Sequence, residues 1–582
     1  MKQFCTFFYV LILLFATRSE RAFAQTNILS TTPLAEQVML GNYDPTQFMA
    51  SNVINHPDSI AAGIMAEVNP DSLKSYIIQL AAFGNRNTGS DTASNTFGVG
   101  AARRWVYQKF TEFSTANENR LIPSYLQFDR LICTTPQHRN IFAVLPGMDT
   151  SDHKVIIIEG HMDSRCEVLC DSLCKAQGVE DNSAGTALVL EMARVMSKYS
   201  FNHTIVFLVT ISEEQGLYGA EAFAEYCNQL DIPVVAVQNN DVVGGIICGQ
   251  TSSPPSCPGL GNIDSVGVRL FSAGAFNSPH KGYCRFIKLE YKEEISSFMA
   301  VQTDIRIMSP EDRTGRGGDH IPFRQNLFTA MRFTAANEHG DANVADTNYS
   351  DRQHSYRDTL GVDTDGDQIV DSFFVDFHYL SRNTIINANA TAMAAIGPKT
   401  PDFILGVHDS DLVVTITQQT QYAMYRVGVR TLTNDWDSVY TFSGSLTDTI
   451  DVPPASWYRV SVMSVDTNGV ESIPSKEIQT TPVGIEELEA PSSGITLMQN
   501  HPNPFDEATY ISFNVSCMPN YHNASVLITD LQGRIVEEIP VTLQTGLNEV
   551  LYTHGYGASG TFLYTIVIDG KNVETKAMVF AN

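Results

Sequence analysis

The stretch between residues 139 and 241 constrains the fold more than any other part of this chain. Its apolar runs have the length of buried strands and occupy four segments: 139–146, 154–160, 204–210 and 234–241. Segments with a helical spacing of apolar residues follow two of these runs, at 186–200 and 219–230. Strands that alternate with helices are typical of an α/β sheet covered by helices on both faces. We therefore predict that this stretch forms the centre of an α/β domain.

Helical patterns on either side set the boundaries of this domain. Helix-period segments at 72–84 and 95–113 precede the first strand, and residues 375–397 have the pattern of a closing helix. Residues 25–70 are polar and irregular, and we interpret them as an N-terminal leader segment. The predicted α/β domain spans 71–397. Because a chain of 582 residues is too long for a single core, further domains are expected.

C-terminal to this domain, the helical patterns stop after PKTPD (398–402). Short strand-like segments follow at the spacing of a β-sandwich, which predicts one such domain at 402–482. Within it, YRVSVMSVDTNGVESIPSKEI (458–478) resembles the last two strands of a fibronectin type III domain. An acidic linker is predicted at 483–494, and a second all-β sandwich domain at 495–582.

Three motifs in the last module carry a second resemblance. They are QNHPNPF (499–505), DLQGR (530–534) and a closing strand with Gly560 and Tyr564. Together they resemble the C-terminal sorting domain of the type IX secretion system. The resemblance implies the secretion machinery as a partner and export across an outer membrane, followed by release or attachment at the surface.

The N-terminus indicates the compartment. Lys2, the apolar run 7–16 and the Ala22-Phe23-Ala24 triplet predict a signal peptide over 1–24. No other run approaches the length of a membrane span, so no transmembrane anchor is expected. The net charge of -27 argues against nucleic-acid partners and anionic membrane surfaces. Nine cysteines remain after cleavage, and in an oxidising compartment we expect disulfides with an odd cysteine left over.

Polar clusters follow the predicted strands, where ligand sites of open α/β sheets gather. In chain order they contain His161 and Asp163, Asp181, Glu213 and Glu214, Asp241, and finally His354 with Asp358. Taken singly, each has a plainer interpretation: a loop histidine, a helix cap at Asp181-Asn182, a turn at Asp241 or a solvated charge at Glu213. Two histidines and several carboxylates at successive strand ends instead form a nitrogen and oxygen ligand set for a divalent transition metal.

The motifs HMDS, EDNSAG, SEEQG, NNDVVGG, GDHIPF and HSYRDT occur in the order found in the co-catalytic dizinc aminopeptidases. FGNRNTGSD (83–91) is similar to the N-terminal signature of that family, which also holds glutamate carboxypeptidase and glutaminyl cyclase. The chain therefore resembles clan MH metallopeptidases over roughly 70–397. The resemblance implies a zinc exopeptidase fold, in which helices flank a mixed, twisted β-sheet, and two zinc ions as cofactors.

The same resemblance assigns a function to each residue of the clusters. His161 and Asp241 are expected to bind one zinc ion, and Glu214 and His354 the other. Asp181 is expected to bridge the two ions, with Glu213 as general base. Asp163 and Asp358 are expected to orient the two histidines, and Asp163 thereby contributes to catalysis. Asp319 and His320 are interpreted as framework, because the family pattern places the zinc histidine later in the chain.

Two further segments leave alternatives open. Cys166, Cys170 and Cys174 recur every four residues, which fits disulfides in a loop near the site better than a thiolate metal site, and Cys248 could pair with Cys257. A second segment alternates acidic residues as calcium loops do, at Asp363, Asp365, Asp367 and Asp371. Gln368 stands where an EF-hand requires glycine, so the segment does not match that motif. A calcium site of another kind and a plain acidic loop are both compatible with it.

The sequence thus predicts a secreted or surface-attached zinc aminopeptidase that acts on peptides with a free N-terminus. The enzymatic alternatives are a glutaminyl cyclase-like acyl transferase, which generally works with one zinc ion, and a carboxypeptidase. A non-catalytic surface adhesin built on a peptidase scaffold is the alternative from another class. The presence of His161, Asp181, Glu213, Glu214, Asp241 and His354 together argues against a decayed site.

Overall fold

The computed structural model describes most of the chain. The described residues are 25–247, 263–313, 316–336, 352–408, 411–417, 422–431, 433–453, 457–480, 494–505, 508–530, 533–554 and 560–580. The predicted signal peptide, nearly all of the predicted linker and the Cys248–Cys257 pair lie outside these residues. Within them, no helix combines the length and the apolar character needed to cross a membrane.

Helices occupy α1 Pro33–Met39, α2 Pro57–Glu67, α3 Pro70–Ala82, α4 Gly98–Ala116, α5 Ala184–Met196, α6 Tyr218–Gln229, α7 Pro279–Glu290, α8 His320–Gln325 and α9 Phe377–Ile396. The strands up to α9 are β1 Thr26–Ser30, β2 Ile122–Ile132, β3 Thr135–Leu145, β4 Val155–His161, β5 Thr204–Thr210, β6 Val234–Asn240, β7 Gly267–Phe271, β8 Asp304–Ile307, β9 Ala330–Ala335, β10 Gly361–Val362 and β11 Ser372–Phe373.

The remaining strands are β12 Phe403–His408, β13 Asp411–Ile416, β14 Met424–Arg430, β15 Ser438–Ser443, β16 Thr447–Asp451, β17 Arg459–Val465, β18 Ile478–Gln479, β19 Ile495–Leu497, β20 Ala508–Val515, β21 Ala524–Asp530, β22 Ile535–Pro540, β23 Gly546–Thr553, β24 Gly560–Ile568 and β25 Lys571–Phe580.

A mixed sheet forms the centre of the first domain. In the described residues its strand order is β1-β2-β3-β5-β4-β6-β9-β7-β8. Strand β4 pairs in parallel with both β5 and β6, and β6 pairs in parallel with β9. Every residue of β4 and β5 is buried, as expected of strands covered on both faces. The apolar runs of the sequence thus form β4, β5 and β6, the parallel strands at the centre of the sheet.

Helices cover both faces of this sheet, which confirms the predicted fold class. On one face, α2, α3, α4, α5, α7 and α9 enclose a large apolar core. On the other face, α1, α6 and α8 enclose a smaller core. The burial of apolar side chains on each face contributes the main driving force for folding, at roughly 25 cal/mol per Å² removed from water.

The predicted leader segment carries regular structure. Strand β1 pairs antiparallel with β2, and Ala35 and Val38 of α1 are fully buried in the smaller core. Helix α2 contacts α9 on the opposite face. Residues 25–70 therefore belong to the α/β domain. The polar appearance of β1 reflects its place at the edge of the sheet, where none of its five residues is fully buried.

Antiparallel sheets make up the rest of the described chain. A three-stranded sheet, β12-β13-β16, and a four-stranded sheet, β15-β14-β17-β18, share one apolar core. A second pair, β19-β20-β23 and β22-β21-β24-β25, shares another. Two packed antiparallel sheets are the architecture of a β-sandwich, so two all-β domains follow the α/β domain as predicted.

A buried ion network joins the first β-sandwich to the α/β domain. The carboxylate of Glu477 lies 3.0 Å from Nη1 of Arg285 in α7 and 2.5 Å from Nε of Arg430 in β14. The backbone N–H of Asn277 donates to the same carboxylate at 2.9 Å. Burial raises the pKa of Glu477, but the arginines outweigh it and lower that pKa to about 2.

Candidate metal centre

Three neighbouring strands deliver the predicted ligands to one edge of the sheet. His161 is the last residue of β4, Glu213 and Glu214 follow the end of β5, and Asp241 follows the end of β6. In the parallel register, His161 is opposite Thr210, the last residue of β5. Because the carboxyl ends of parallel strands meet at one edge, these side chains converge there.

Asp181 reaches the same place from the turn that precedes α5. Its neighbour Asn182 accepts the backbone N–H of Gly185 at 2.9 Å and donates to the carbonyl of Asn240 at 2.8 Å. Asn182 thus satisfies a backbone N–H in the first turn of α5 and links this turn to β6. The carboxylate of Asp181 remains directed at the two histidines.

The six residues form two candidate ligand groups with Asp181 between the histidines. His161, Glu213 and Asp241 form the first ligand group, and Asp181, Glu214 and His354 form the second ligand group; within each, one ligand atom per residue lies within 4.8 Å of the others. Oδ1 of Asp181 lies 3.1 Å from Nε2 of His161, and its Oδ2 lies 3.2 Å from Nε2 of His354. One carboxylate therefore offers an oxygen to each side, as a bridging ligand must.

The donor atoms fit a cation. Nδ1 of His161 lies 3.2 Å from the carbonyl oxygen of Asp163, an acceptor that fixes the ring proton on Nδ1. Nε2 then presents a lone pair to Oδ1 of Asp181 and to Oδ1 of Asp241, which lies 3.4 Å away. Among the described residues, Nε2 of His161, Oδ1 of Asp241 and Oε1 of Glu214 are buried without a hydrogen bond. Buried acceptors that face one another are costly unless a proton or a cation lies between them, and a divalent cation would satisfy all of them at once.

The two adjacent glutamates have perturbed pKa values. Burial raises the pKa of Glu213 well above its usual range, and the charges of Asp241, Asp319 and Asp181 raise it further, while His161 opposes them. Burial also raises the pKa of Glu214, with Asp181 and Glu213 adding to it. Neither carboxylate can remain ionised here without a positive charge close by.

Asp163 organises the loop that carries these glutamates. Its two carboxylate oxygens accept the backbone N–H groups of Glu213 and Glu214, both at 3.2 Å. Oδ1 of Asp163 also lies 3.5 Å from Nδ1 of His161. The residue thus contacts the histidine that it was expected to orient, and it additionally holds the pair of glutamates in place.

Asp358 has a different position from the one expected. Its carboxylate accepts the backbone N–H groups of Glu180 at 2.9 Å and Asp181 at 3.0 Å, rather than a proton from His354. Nδ1 of His354 lies instead 2.8 Å from Nη1 of Arg316. Asp358 therefore positions the turn of the central ligand Asp181. A contact with backbone N–H groups does not depend on the side chains of Glu180 and Asp181, so no sequence motif predicts it.

Buried arginines that the sequence reasoning did not single out support the centre. Arg86, in the FGNRNTGSD signature, donates to the carbonyls of Met162, Gln177 and Gly178. It ties the loop after β4 to the turn before α5. Arg332 lies 3.0 Å from Oδ2 of Asp241. Arg332 could have been recognised in the sequence, because it is a charged residue within the otherwise apolar strand β9.

Asp319 and His320 lie outside both ligand groups. The hydroxyl of Thr210 contacts Asp319 at 2.6 Å and Glu159 at 2.7 Å. Burial raises the pKa of Asp319 well above its usual range, with the charge of Glu159 adding to it. Nε2 of His320 lies 3.1 Å from the carbonyl oxygen of Glu311. Both residues therefore lie in the buried framework beneath the centre, as predicted.

Disulfides brace the loop beside the centre. Cys133 pairs with Cys170, and Cys166 pairs with Cys174, with Cα–Cα distances of 5.3 and 6.7 Å. Disulfides were expected in this loop, and the structure shows which cysteines pair with each other. A single odd cysteine was not the outcome: within the described residues, three are unpaired, namely Cys227, Cys284 and Cys517.

The acidic loop brings three of its four predicted residues together. Asp363, Asp365 and Asp371 each offer an oxygen within 4.8 Å of the other two. Asp367 accepts the backbone N–H of Ile369. Asp363 accepts the N–H groups of Gly366 and Gln368, which shapes the turn by itself. The calcium site and the plain acidic loop therefore both stay open.

A cavity of about 300 Å³ opens onto the centre. It is lined by Arg165, Asp181, Glu213, Glu214, Gly216, Leu217, Asp241, Arg313, Arg316, Gly317 and His354. The cavity therefore gives a small molecule or a peptide end access to both ligand groups.

The chain resembles known metallopeptidases. Residues 140–251 match the model of peptidase family M28. A "probable zinc metalloprotease" of Leptosphaeria maculans is 28% identical over 394 residues, which cover 65% of this chain and 87% of that protein.

Two solved structures are also similar to this chain. The aminopeptidase LapA of Legionella pneumophila is 16% identical with a TM-score of 0.42, over 60% of this chain and 79% of that one. The glutaminyl cyclase of Porphyromonas gingivalis is 16% identical with a TM-score of 0.36, over 56% of this chain and 98% of that one.

The segment matched by the family model contains most of the candidate metal centre. It includes β4, β5 and β6 together with the turn before α5, and hence every residue of the two ligand groups except His354. His354 comes from a later part of the chain and completes the second ligand group. The strands and the turn that carry most of the centre thus lie in the segment that matches the model of peptidase family M28.

Proposed function

We propose that this protein is a secreted dizinc aminopeptidase that releases N-terminal residues from peptides. The observation that carries the proposal is the position of Asp181, whose two oxygens face the two histidine Nε2 atoms at 3.1 and 3.2 Å. A shared carboxylate is the natural link between two cations that would otherwise repel each other. Two cations about 3.5–4 Å apart are the arrangement found in aminopeptidases and other two-metal hydrolases.

Five residues would hold the zinc ions. His161 and Asp241 would bind one ion, Glu214 and His354 the other, and Asp181 both. When bound, the zinc pair would supply Lewis acidity, which lowers the pKa of a water and polarises the scissile carbonyl. The buried acceptor atoms of His161, Asp241 and Glu214 support this assignment, since none of these three atoms has a hydrogen-bond partner within the described residues.

Glu213 would act as the general base. It lines the cavity, and burial raises its pKa well above the usual range of a carboxyl group. A carboxylate with a raised pKa accepts a proton from the attacking water more readily and can return that proton to the leaving amine. Asp163 would position Glu213 for this proton transfer by holding its backbone N–H.

Glu213→Gln is predicted to abolish most of the activity. Gln is nearly isosteric but cannot take a proton, so we expect peptide hydrolysis to fall by about 100-fold or more while metal binding persists. Hydrolysis of an aminoacyl substrate and metal content by elemental analysis are measured on the same preparations. Full activity of the variant at normal metal content would refute the general-base assignment.

Two comparisons separate the aminopeptidase from its alternatives. Peptides with free and with blocked N-termini are assayed with and without a chelator, and only free N-termini should be cleaved. Equal cleavage of both would exclude an aminopeptidase. Cyclisation of an N-terminal glutamine with a single equivalent of zinc, without cleavage of the peptide, would favour the glutaminyl cyclase-like alternative. No turnover of any peptide would favour the adhesin.

Secretion and the calcium site belong to the same proposal. The predicted signal peptide at 1–24 and the sorting-domain motifs of 495–582 support export through an outer-membrane secretion machinery. Mass spectrometry of the protein from culture medium would test removal of residues 1–24. Calcium titration of the purified protein, with Asp363→Asn as comparison, would test the acidic loop.

A further inference from the structure

One wall of the candidate metal cavity comes from the chain that follows β8. Strand β8 ends at Ile307. The residues after it contribute Arg313, Arg316 and Gly317 to the lining of the cavity. We call the described part of this chain, residues 307–313 and 316–317, the wall segment. Its position decides the shape of the space in which a substrate would bind.

The wall segment also reaches the first ligand group through an arginine. Nη1 of Arg332 in β9 lies 3.3 Å from Oδ2 of Asp312 and donates to the carbonyl of Gly317 at 2.8 Å. Nη2 of the same guanidinium group lies 3.0 Å from Oδ2 of Asp241. A displacement of the wall segment would therefore change the cavity lining and disturb the charged group that pairs with Asp241.

The first β-sandwich holds the start of the wall segment. Asn434, in the loop between β14 and β15, donates from Nδ2 to the carbonyl of Ile307 at 3.2 Å and to the hydroxyl of Ser309 at 2.8 Å. The backbone carbonyl of Asn434 in turn accepts from Nε of Arg285 in α7 at 2.7 Å. This second contact fixes the loop, so the side-chain amide is held beside the wall segment.

The last β-sandwich contacts the same place. The hydroxyl of Tyr510 in β20 lies 3.0 Å from the carbonyl oxygen of Ser309 and 3.3 Å from that of Gly274, and it can donate to either. Between the contacts of the two β-sandwich domains, the carbonyl of Met308 accepts from Nζ of Lys281 in α7. The three residues that open the wall segment are thus held by all three domains.

An ion pair supports the contact of Tyr510. Glu549 in β23 pairs with Arg459 in β17 and accepts from the hydroxyl of Ser512 in β20 at 3.1 Å. Alternate residues of a strand point to one face, so Tyr510 and Ser512 share a face of β20. The guanidinium group of Arg459 also lies 5.1 Å from the ring centre of Phe276, in the loop before α7. One face of the last β-sandwich is therefore built to contact both preceding domains.

We propose that Asn434 and Tyr510 are positioning residues, through which the two β-sandwich domains hold the wall segment and thereby set the fit of the substrate. The inference rests on the proposed function and deepens it, because it assigns control of the cavity to side chains outside the α/β domain. Neither is among the described residues that line the cavity, so both act through the wall segment. A peptidase separated from its last β-sandwich would keep the contact of Asn434 and lose that of Tyr510.

Hydrogen–deuterium exchange of the full-length protein tests the positioning directly. Tyr510→Phe removes one hydroxyl, and Asn434→Ala removes the amide donors while the backbone carbonyl that accepts from Arg285 remains. In both variants we expect exchange in wall-segment peptides to become about two- to tenfold faster, the range of one hydrogen bond. Peptides from β4, β5 and β6 should be unchanged.

Tyr521→Phe is the matched control. It also removes one hydroxyl from the last β-sandwich, but that hydroxyl accepts the backbone N–H of Leu543 in the same domain, at 3.0 Å. Exchange in the wall segment should therefore equal that of wild type. A similar acceleration in this control would show that any weakening of the last β-sandwich loosens the wall segment, and it would refute a specific function of Tyr510.

Steady-state kinetics connect the wall segment to the site. At saturating zinc, Tyr510→Phe and Asn434→Ala should each raise KM for a peptide substrate by about two- to tenfold and change kcat less, because the wall contacts the substrate rather than the reacting atoms. Zinc content is measured on each preparation. A loss of kcat at unchanged KM would contradict the inference.

Unchanged exchange of the wall segment in both variants would overturn the inference, and so would faster exchange with an unchanged KM. Equal acceleration in β4, β5 and β6 would show a general loosening of the fold and would overturn it as well. The exchange measurement needs no substrate. If wild-type protein cleaved no peptide while the wall segment responded to both variants, the proposed function would fail and the positioning by the β-sandwich domains would stand.

Discussion

At the scale of single residues, the candidate metal centre depends on the carboxylate of Asp181, which lies between His161 and His354. Asp181 faces both histidines, and its position is set by the backbone contact of Asp358 with Glu180 and Asp181. The sequence motifs identified all six residues of the two ligand groups. They did not identify Arg165, Arg316 or Arg332, because the neighbours of an arginine outside a motif are decided only when distant segments pack together.

Asp181→Asn is predicted to impair both proposed zinc sites at once. The amide keeps the shape of the side chain but removes the charge that balances two cations, and its nitrogen is a donor that cannot bind metal. We expect metal content to fall from two equivalents to one or fewer. Hydrolysis should fall by at least about 100-fold, the upper end of the effect of removing outer partners of metal ligands.

Metal analysis of dialysed protein and an aminopeptidase assay measure the two effects. Asp152→Asn is the matched control, because that side chain is 41% exposed and pairs with Lys154. Two equivalents of tightly bound metal in Asp181→Asn would show that the ions do not share this residue.

At the scale of secondary-structure elements, the alternation of apolar runs and helical segments predicted the centre of the sheet. Strands β3 to β6 and helices α5 and α6 were placed with small errors at their ends. The edge strand β1 was missed because its residues are exposed or only partly buried and show no alternation of apolar and polar side chains. Edge elements acquire their structure from a partner strand, and pairing at a distance leaves little local signal.

Gly185→Ala is predicted to disturb the centre through the first turn of α5. A Cβ atom at this position would lie 2.1 Å from the carbonyl oxygen of Asn240 and 2.6 Å from the amide of Asn182. Since the first of these atoms belongs to backbone, α5 or β6 must shift. We expect a loss of about 1–3 kcal/mol in the free energy of unfolding, the usual effect of overpacking, together with weaker zinc binding.

Gly282→Ala is the matched control in α7. Apart from the backbone of its own helix, no atom of the described residues would lie within 4 Å of the added methyl group. Alanine favours a helix interior by about 1 kcal/mol over glycine, so this variant should gain stability. Thermal unfolding and zinc titration of both variants test the comparison. Unaltered zinc affinity in Gly185→Ala would show that the contact between α5 and β6 does not position the ligands.

At the scale of the whole molecule, the domains contact each other through buried charge. The sequence predicted the α/β domain and the two β-sandwiches as separate modules, and their order along the chain is as expected. It contained no sign of the network between Arg285, Arg430 and Glu477, because the two arginines and the glutamate lie far apart in the chain. A buried ion pair holds its members in one geometry, since breaking it leaves an uncompensated charge.

Glu477→Gln is predicted to weaken this contact and to alter its response to acid. Removal of one partner of a buried ion pair costs about 3–5 kcal/mol. The pKa of Glu477 is lowered from 4.5 to about 2 in the folded protein, so its stabilising contribution is complete above pH 4.5. That contribution is lost as the pH falls through about 2.

The difference in thermal stability between wild type and Glu477→Gln should therefore be largest at neutral pH and shrink in acid. Calorimetry at pH 7 and at successively lower pH measures it. Glu537→Gln, on an exposed strand position of the last β-sandwich, is the control. If the difference in thermal stability between wild type and Glu477→Gln were the same at every pH, the lowered pKa of Glu477 would be contradicted.

The disulfide-braced loop makes the rim of the cavity responsive to the redox state of its surroundings. The bridge Cys166–Cys174 lies within the loop that begins beside Arg165, and Cys133–Cys170 ties that loop to the turn between β2 and β3. A reducing cytosol would open them, and the oxidising side of a membrane would close them. Reduction would loosen the entrance and leave the strands that deliver His161 and Asp241 unchanged. If the protein is exported as proposed, it would complete this entrance only on the oxidising side of the membrane.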